Sequence, residues 1–387
     1  MLAFLNFYIC KNVPHVILAV PKENKARERR VALTPEIVKE LCDKGFIIQV
    51  ESGAGLESYF EDSLYQNAGA TLVLDRKAIF ASADVVLMVN APEPEDISHM
   101  KQGAVLISFL FAAVSPNVVE ACKSAGISAF SMDAVPRISR AQKMDALSSQ
   151  SNLAGYKTVI LAADALGKIF PMLMTAAGTV KPCKVVIMGA GVAGLQAIAT
   201  AKRLGALVEV SDIRPETKEQ VQSLGAKFIE VTGDDSIKTE GGYVKEVSKE
   251  FLVKQQELIA KHVAAADIVI TTALIPGKKA PVLITEEMVK SMRMGSVIVD
   301  MAVEQGGNCT LSELNKTVVK YGVTLIGESN LPSLLPMNAS QLYARNISTC
   351  LLHLSDSNAF RWEMDEEITK GSLIIYQGKA VHPSIGA

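Results

Sequence analysis

The chain has 387 residues, of which 49% are hydrophobic and 21% charged, with a formal net charge of -2. This length exceeds one compact core, so two domains are expected. The nearly balanced charge gives no electrostatic case for nucleic-acid binding. The 6 cysteines and 5 histidines are scattered without paired spacing, which predicts a reducing compartment and no metal site.

No segment is predicted to span a membrane. The most apolar run, 104–114, is about half the length of roughly 20 residues that a membrane helix requires. Residues 1–14 are apolar, but they lack the basic region and cleavage site of a signal peptide, so we interpret them as a weakly packed extension. These features predict a cytoplasmic protein.

The first half of the ordered chain alternates strands with helices. A strand is predicted at His15–Val20, followed by a helix at Pro35–Leu41 with Thr34 as its N-cap. Further elements are predicted as strands Ile47–Val50, Val85–Val89, Ala104–Ser108 and Ser128–Ser131, and as a helix Pro116–Ala125. This alternation predicts a parallel α/β sheet.

A long helix, 148–169, is predicted to join this region to a second α/β series. The strands of that series are predicted at Val185–Met188, Leu207–Val210, Lys227–Glu230, Ile268–Thr271, Ser296–Asp300 and Thr324–Gly327. The pattern predicts an α/β protein with two Rossmann-like domains with parallel sheets, the second a complete dinucleotide-binding domain, joined by long helices.

The predicted domain boundaries follow from these two series. The first domain is 15–136 with 331–387, and the second is 137–330, after the extension 1–14. The last helix, Ala339–Ser355, and the tail are assigned to the first domain, although the pattern alone leaves their placement open.

The most specific motif lies in residues 184–212, KVVIMGAGVAGLQAIATAKRLGALVEVSD. Between two apolar strands, Gly189 allows a tight turn, Gly191 lets a pyrophosphate approach the backbone, and Gly194 lets the helix pack closely. The helix N-terminus stabilises phosphate charge. The motif predicts a dinucleotide site formed by Gly189, Ala190, Gly191, Val192 and Gly194.

Asp212, at the end of the second strand, indicates which dinucleotide is bound. A carboxylate there accepts hydrogen bonds from a ribose diol and repels the 2′-phosphate of NADP. Arg214 complicates this, because an arginine can hold that phosphate; alternatively, it stacks on the adenine or faces water. NAD(H) is the predicted cofactor, and Ile213 is assigned to the same site.

A polar, glycine-containing connection, 231–249, is long for its place between a strand and a helix. Such loops are usually functional lids or disordered. Two interpretations remain open from the residues alone: a mobile flap that closes over the nucleotide with Tyr243 as its apolar contact, or a solvated surface excursion.

Four segments together resemble the proton-translocating NAD(P) transhydrogenases, specifically their NAD(H)-binding component. They are PRISRAQKMDALSSQSNLAGY at 136–156, MTAAGTVKP at 174–182, GVAGLQAIATAKRLGA at 191–206 and TTALIPGKKAPVLIT at 271–285. The resemblance extends from about Val16 to Pro383. Alanine dehydrogenases, of the same superfamily, share the opening VPKENKARERRVALTP at 20–35.

The resemblance implies roles for particular residues. Catalytic positions beside the nicotinamide would be Arg137, Gln142 and Asp145, with Ile138, Ser139 and Ser148 nearby. Without the resemblance, this segment would be a loop entering a helix, with a surface ion pair. The flap is also a family feature, which favours nucleotide contacts by Gly242 and Tyr243 and, more weakly, by Gln255 and Leu274.

The chemistry separates two members of the superfamily. Hydride transfer between nicotinamide rings needs orientation and no general acid or base, whereas an amino-acid dehydrogenase must move protons on nitrogen. Where alanine dehydrogenases place lysines and a histidine, this chain has Met88, Asn90 and Phe111. Arg30, which matches their carboxylate-binding arginine, is retained and is interpreted as a structural ion-pairing residue. The apparatus for imine chemistry is therefore predicted to be lost.

The resemblance also implies partners. We expect a homodimer that works with an NADP(H)-binding beta subunit and membrane-spanning subunits, which couple Si/Re-specific hydride transfer to proton translocation. The protein would be peripheral to the inner membrane on its cytoplasmic side. The end of the chain at Ala387 predicts the soluble subunit of a split-gene enzyme, with a piece of a longer protein as the alternative. Rival functions are an alanine-like amino-acid dehydrogenase and a non-catalytic NAD(H) sensor.

Overall fold

The computed structural model describes residues 16–230, 238–240, 243–246, 249–274, 278–356 and 359–385, with only the backbone described at 238–240, 243–246, 249–255 and 356. The chain divides into two compact units, Met1–Leu147 with Pro336–Ala387, and Ser148–Leu335. Each unit contains one large, mostly parallel sheet. The predicted α/β class with two Rossmann-like domains is confirmed.

The strands and helices are numbered in chain order. The strands are β1 (Ile17–Val20), β2 (Ile47–Glu51), β3 (Thr71–Val73), β4 (Val85–Asn90), β5 (Val105–Phe109), β6 (Ser128–Ser131), β7 (Leu173–Thr175), β8 (Gly178–Val180), β9 (Lys184–Met188), β10 (Leu207–Ser211), β11 (Lys227–Phe228), β12 (Lys238–Glu240), β13 (Tyr243–Glu246), β14 (Ile268–Thr271), β15 (Val297–Asp300), β16 (Thr317–Lys320), β17 (Val323–Ile326), β18 (Ser355–Asp356), β19 (Ala359–Phe360), β20 (Leu373–Tyr376) and β21 (Lys379–Ala380). The α-helices are α1 (Pro35–Asp43), α2 (Asp62–Asn67), α3 (Arg76–Ser82), α4 (Pro94–Ser98), α5 (Pro116–Ser124), α6 (Ala146–Ala165), α7 (Val192–Arg203), α8 (Thr217–Ser223), α9 (Lys249–Ala264), α10 (Glu286–Ser291), α11 (Pro336–Leu354) and α12 (Glu367–Ser372).

The first unit is built on an 8-stranded sheet in the order β21-β20-β6-β5-β4-β1-β2-β3. Strands β1 to β6 pair in parallel, whereas β20 is antiparallel to β6. The tail of the chain therefore returns to extend the first sheet. Because the order reverses between β1 and β4, the crevice that α/β folds use for ligands lies at the carboxyl ends of these strands.

The second unit is built on a 7-stranded sheet in the order β11-β10-β9-β14-β15-β17-β16. All of its neighbours pair in parallel except β16, which is antiparallel to β17. The order reverses between β9 and β14. The loops that follow these two strands therefore flank the ligand crevice of the second unit.

The central strand β9 shows why the second unit forms this layered core. Val185 and Ile187 lie in one apolar cluster with Ala197 of α7, while Val186 lies in another with Val263 of α9. Successive side chains of a strand face opposite sides of the sheet. A strand covered by helices on both sides must therefore be apolar along its buried length, as β9 is.

The joining helix is shorter than its sequence predicts. Helix α6 ends at Ala165, and the predicted continuation to Ile169 is wrong. Gly167 and Pro171 follow the helix, and both residue types favour its termination. The chain then forms the β7–β8 hairpin, whose residues are all exposed.

Candidate functional site

A tight turn follows β9 and begins with Gly189. This residue has a φ of 106°, a backbone region that favours glycine. A Cβ at Gly189 would lie 2.4 Å from Oγ1 of Thr272, which follows β14. The turn therefore requires glycine for its conformation and for its packing.

Gly194 is required by the close approach of helix α7 to the same turn. A Cβ there would lie 1.9 Å from the carbonyl oxygen of Gly189. The next contact outward is similar: a Cβ at Gly155, in α6, would lie 2.1 Å from the carbonyl oxygen of Ala193. Glycines on two helices thus let backbone pack directly on the turn.

Gly191 has a different environment. It is the N-cap of α7, with a φ of -76° that any residue adopts, and a Cβ there would meet no protein atom within 4 Å. The protein's own packing therefore gives no reason for glycine at this position. The N–H groups of the first turn of α7 open into the same space, which fits a pyrophosphate approaching the backbone. Ala190 is buried and Val192 is exposed on either side.

Asp212 lies beside this turn, immediately after β10. Its carboxylate accepts hydrogen bonds from the N–H of Ala190 at 2.7 Å and from the N–H of Arg214 at 2.8 Å. The Arg214 guanidinium also donates to it, through Nε at 2.9 Å and Nη2 at 2.8 Å. Burial alone would raise the pKa of Asp212, but these hydrogen bonds and the charge of Arg214 hold it below its usual value. Ile213, between them, is partly exposed.

The loop after β14 contacts the turn from the other side of the crevice. Thr272 Oγ1 donates to the carbonyl oxygens of Met188 and Gly189, both at 3.2 Å. Leu274, two residues further on, is 41% exposed. Sequence analysis missed Thr272, because a contact across 83 residues leaves no local signal.

The predicted catalytic residues lie in the first unit, on one irregular turn. Residues Ser139–Met144 form a 3-10 helix, with Asp145 at its end. Ala141 and Met144 are buried in the first core, and they leave Arg137, Ser139 and Gln142 exposed, with Ile138 and Asp145 partly buried. Ser148, partly buried in α6, belongs to the second unit.

Two side chains from the C-terminal part of the first unit hold this turn. The amide of Asn346, on α11, donates through Nδ2 to the carbonyl oxygen of Lys143 at 2.9 Å. Glu366, which caps α12, lies 2.8 Å from Nη2 of Arg140. The turn is therefore fixed by contacts to the returning tail of the chain.

Some of the predicted features fall outside the described residues. Gly242 is one of them, and the extension 1–14 is another. Tyr243 and Gln255 lie in β13 and α9, but their side chains are not among those described. Their proposed contacts with the nucleotide stay predictions.

A buried polar cluster occupies the crevice of the first unit. Arg30 donates to Glu28 through Nε at 2.8 Å and Nη2 at 2.6 Å, and Asn90 Nδ2 donates to Glu28 at 2.9 Å. Asn90 Nδ2 also donates to Glu23 at 2.9 Å, and the N–H of Val89 does so at 2.6 Å. The guanidinium of Arg30 therefore has a carboxylate partner within its own unit.

Burial acts differently on the two carboxylates of this cluster. It raises the pKa of Glu23 to about 7, a shift that Asn90 opposes and the charge of Glu28 reinforces. Burial also opposes ionisation of Glu28, but hydrogen bonds and charge from Arg30 outweigh it and lower the pKa of Glu28 to about 2. The residues that replace the alanine dehydrogenase lysines and histidine are Met88, which is buried, Asn90, and Phe111, which is 47% exposed.

Neither a membrane-spanning helix nor a metal site is found within the described ranges. There, no helix combines the length and apolar character required to cross a bilayer. The same residues include no cluster of histidine, cysteine and acidic side chains suited to a metal ion.

Comparison with known families and proteins places the chain. Residues 19–154 match the family described as alanine dehydrogenase/PNT, N-terminal domain, and residues 158–383 match alanine dehydrogenase/PNT, C-terminal domain. The chain is 49% identical over 378 residues to a protein of Rhodospirillum rubrum named as the first piece of a divided NAD(P) transhydrogenase subunit alpha, covering 95% of this chain and 98% of that protein. It is 32% identical over 378 residues to alanine dehydrogenase of Bacillus subtilis, covering 96% and 94%.

A solved structure, the transhydrogenase from Sinorhizobium meliloti, has the same fold. It superposes with a TM-score of 0.86 at 45% identity, covering 94% of this chain and 100% of that chain. The identities to these transhydrogenases exceed the identity to the alanine dehydrogenase. The chain therefore belongs to the alanine dehydrogenase/PNT family, on the side of the NAD(P) transhydrogenase alpha subunits.

Proposed function

We propose that this chain is the NAD(H)-binding subunit of a proton-translocating transhydrogenase, and that it exchanges hydride with NADP(H) held by a partner subunit. The observation that carries the proposal is the open backbone at Gly191, beside the carboxylate of Asp212, at the point where the strand order reverses. A dinucleotide needs these features together, because its pyrophosphate binds helix N–H groups while its ribose binds an acid.

NAD(H) is favoured over NADP(H) by the state of the two charged groups. Asp212 is held ionised by its hydrogen bonds. Arg214 forms two of those hydrogen bonds through its side chain, so its guanidinium is already engaged by a carboxylate. A 2′-phosphate would meet the negative charge of Asp212 and would have to displace it from Arg214. The free ribose diol of NAD meets no such repulsion.

The exposed polar residues of the Ser139–Met144 turn are proposed to orient the nicotinamide. When bound, the cofactor supplies a hydride, two electrons with one hydrogen nucleus, and no separate proton moves in that step. Arg137 and Gln142 offer donors for a carboxamide oxygen, and Asp145 offers an acceptor for its amino group. The role of this chain is therefore to position a ring, and it needs no general acid or base.

Partners complete the proposed reaction. We propose a homodimer that works with an NADP(H)-binding beta subunit and with membrane-spanning subunits that translocate protons, so that the chain is peripheral to the inner membrane on its cytoplasmic side. The related protein of Rhodospirillum rubrum is named as one piece of an alpha subunit, which supports a divided assembly.

An alanine-like dehydrogenase is the alternative within the family. The alanine dehydrogenase of Bacillus subtilis is similar over 96% of this chain. However, Glu28 engages the guanidinium that would bind a substrate carboxylate, and Asn90 donates to Glu28 and Glu23. These contacts favour the transhydrogenase function. A non-catalytic NAD(H) sensor is the other alternative, and transfer to a partner distinguishes it.

Titration of the purified chain with NADH and with NADPH tests the cofactor proposal. We expect NADH to bind at least about tenfold more tightly, equivalent to about 1.4 kcal/mol. Equal affinity for the two would contradict the assignment of Asp212, and the absence of NADH binding would contradict the proposed function.

A further inference from the structure

Asn308 connects the two ends of the loop that follows β14. Its Nδ2 donates to the carbonyl oxygen of Ala273 at 2.9 Å and to that of Pro281 at 2.8 Å. Its Oδ1 accepts from the N–H of Ala273 at 3.1 Å. One buried amide, 0% exposed, thus holds residue 273 and residue 281 together.

Asn308 is itself firmly held. Its N–H donates to Asp300 Oδ1 at 3.2 Å, and the N–H of Cys309 donates to Oδ2 at 3.0 Å. Its carbonyl oxygen accepts from the N–H groups of Leu283 and Ile284, at 2.8 Å and 3.0 Å. Because Asp300 ends β15 in the middle of the sheet, the amide is anchored to the rigid part of the second unit.

The loop that Asn308 holds borders the nucleotide crevice. It begins beside the phosphate turn, where Thr272 donates to Gly189, and its next residues are Ala273 and Leu274. Asp212 marks the adenosine side at the end of β10, and the turn after β9 marks the pyrophosphate. The other half of a dinucleotide must therefore extend toward β14.

We propose that Asn308 is a positioning residue for the nicotinamide half of the nucleotide. By holding both ends of the 273–281 loop, it fixes where Ala273 and Leu274 meet that half of the ligand. The inference rests on the proposed function, because it requires that the crevice bind NAD(H). It predicts that loss of the amide affects the two halves of the ligand unequally.

The test compares Asn308→Ala with Ser296→Ala. Ser296 is buried at the opposite end of β15, where its hydroxyl donates to the carbonyl oxygen of Ala266 at 3.3 Å, so it is a matched loss of a buried hydrogen bond away from the crevice. Dissociation constants are measured for NADH and for ADP, which lacks the nicotinamide half. Trypsin cleavage after Lys278 and Lys279, which are exposed in the loop, reports its order.

We expect Asn308→Ala to weaken NADH binding about tenfold, to leave ADP binding within about twofold, and to speed cleavage in the loop. Ser296→Ala should change neither affinity nor cleavage. Equal weakening of NADH and ADP, or unchanged NADH binding, would overturn the proposal. If Asn308→Ala does not fold, Asn308→Ser keeps a polar side chain and is judged by the same measurements. Failure of the wild-type chain to bind NADH would instead refute the proposed function, and the inference with it.

Discussion

Arg214 grips the carboxylate of Asp212 with both Nε and Nη2, at 2.9 Å and 2.8 Å. The acid that predicts NAD and the arginine that left NADP open are therefore one paired unit. A guanidinium paired with a carboxylate in a forked geometry is poorly available to a phosphate. The pair also receives the N–H of Ala190, which ties it to the phosphate turn.

Replacement of the acid tests this pair. Asp212→Ala removes the ribose acceptor and frees Arg214, so NADH should bind about tenfold or more weakly while the preference over NADPH narrows. Fluorescence titration with both nucleotides measures the change. Glu209→Ala is the control, because it removes an ion-paired carboxylate from the same strand outside the site. Unchanged NADH affinity in Asp212→Ala would show that the ribose lies elsewhere.

The glycines of the turn should separate binding from folding. Gly191→Ala places a methyl group where no protein atom lies within 4 Å, so the variant should fold normally but bind NADH at least about tenfold more weakly. Gly194→Ala forces a methyl group to within 1.9 Å of the Gly189 carbonyl oxygen, and it should lower the free energy of unfolding by about 1–3 kcal/mol. Calorimetry and NADH titration distinguish the two. Full NADH affinity in Gly191→Ala would remove the pyrophosphate from this turn.

Substitution of Gln142 tests the nicotinamide-facing turn. Gln142→Asn keeps the amide but withdraws it by one methylene, so hydride transfer to the partner should slow by about 10- to 100-fold. NADH affinity should change little, because most of the proposed nucleotide contacts lie on the second unit. Single-turnover kinetics measure transfer and titration measures affinity. Parallel losses in both quantities would indicate a binding role alone.

The isolated chain should have no alanine dehydrogenase activity. Arg30 is engaged by Glu28, and Asn90 stands where a lysine would be required for proton transfer. NADH absorbance in the presence of pyruvate and ammonia should therefore not fall faster than without them. Oxidation that depends on pyruvate and ammonia would revive the amino-acid dehydrogenase alternative.

The crevice of the first unit predicts a pH dependence of stability. The pKa of Glu23 is raised from 4.5 to about 7, so the folded chain binds this proton more tightly, and the free energy of unfolding falls as pH rises through that window. The pKa of Glu28 is lowered from 4.5 to about 2, so its stabilisation is complete above 4.5 and is lost as pH falls toward 2.

Glu23→Gln isolates the first of these effects. Its stability relative to the wild-type chain should rise between about pH 5 and pH 8, by up to about 3 kcal/mol, because the variant has no proton to lose there. Urea denaturation at a series of pH values measures this difference. A pH-independent difference would show that Glu23 titrates alike in the folded and unfolded chain.

The sequence predicts the second sheet and its turn well, because each depends on local patterns. The apolar runs at β9 and β10, and the glycine spacing between them, are contiguous in the chain. Contacts between distant segments carry no such pattern. Asn308 and Ala273 are 35 residues apart, and an asparagine after a strand looks like any turn residue. The same holds for Asn346, which supports the turn at Lys143 across 203 residues.

The joining region shows the limit of helical patterns. Residues 166–170 continue the apolar character of α6, yet the helix ends at Ala165. Apolar content predicts burial and not its secondary structure. The exposed β7–β8 hairpin that follows, at Leu173–Thr175 and Gly178–Val180, contains apolar residues that local propensity would place in a core.

The central claim is direct transfer of hydride from NADH on this chain to a nucleotide on a partner. The most direct test mixes this chain and NADH with a purified NADP-binding transhydrogenase subunit that carries an NADP⁺ analogue. The account predicts rapid reduction of the analogue, and no reduction when either protein is omitted. Absence of reduction, with tight NADH binding to this chain retained, would contradict it and favour a sensor or a dehydrogenase with another substrate.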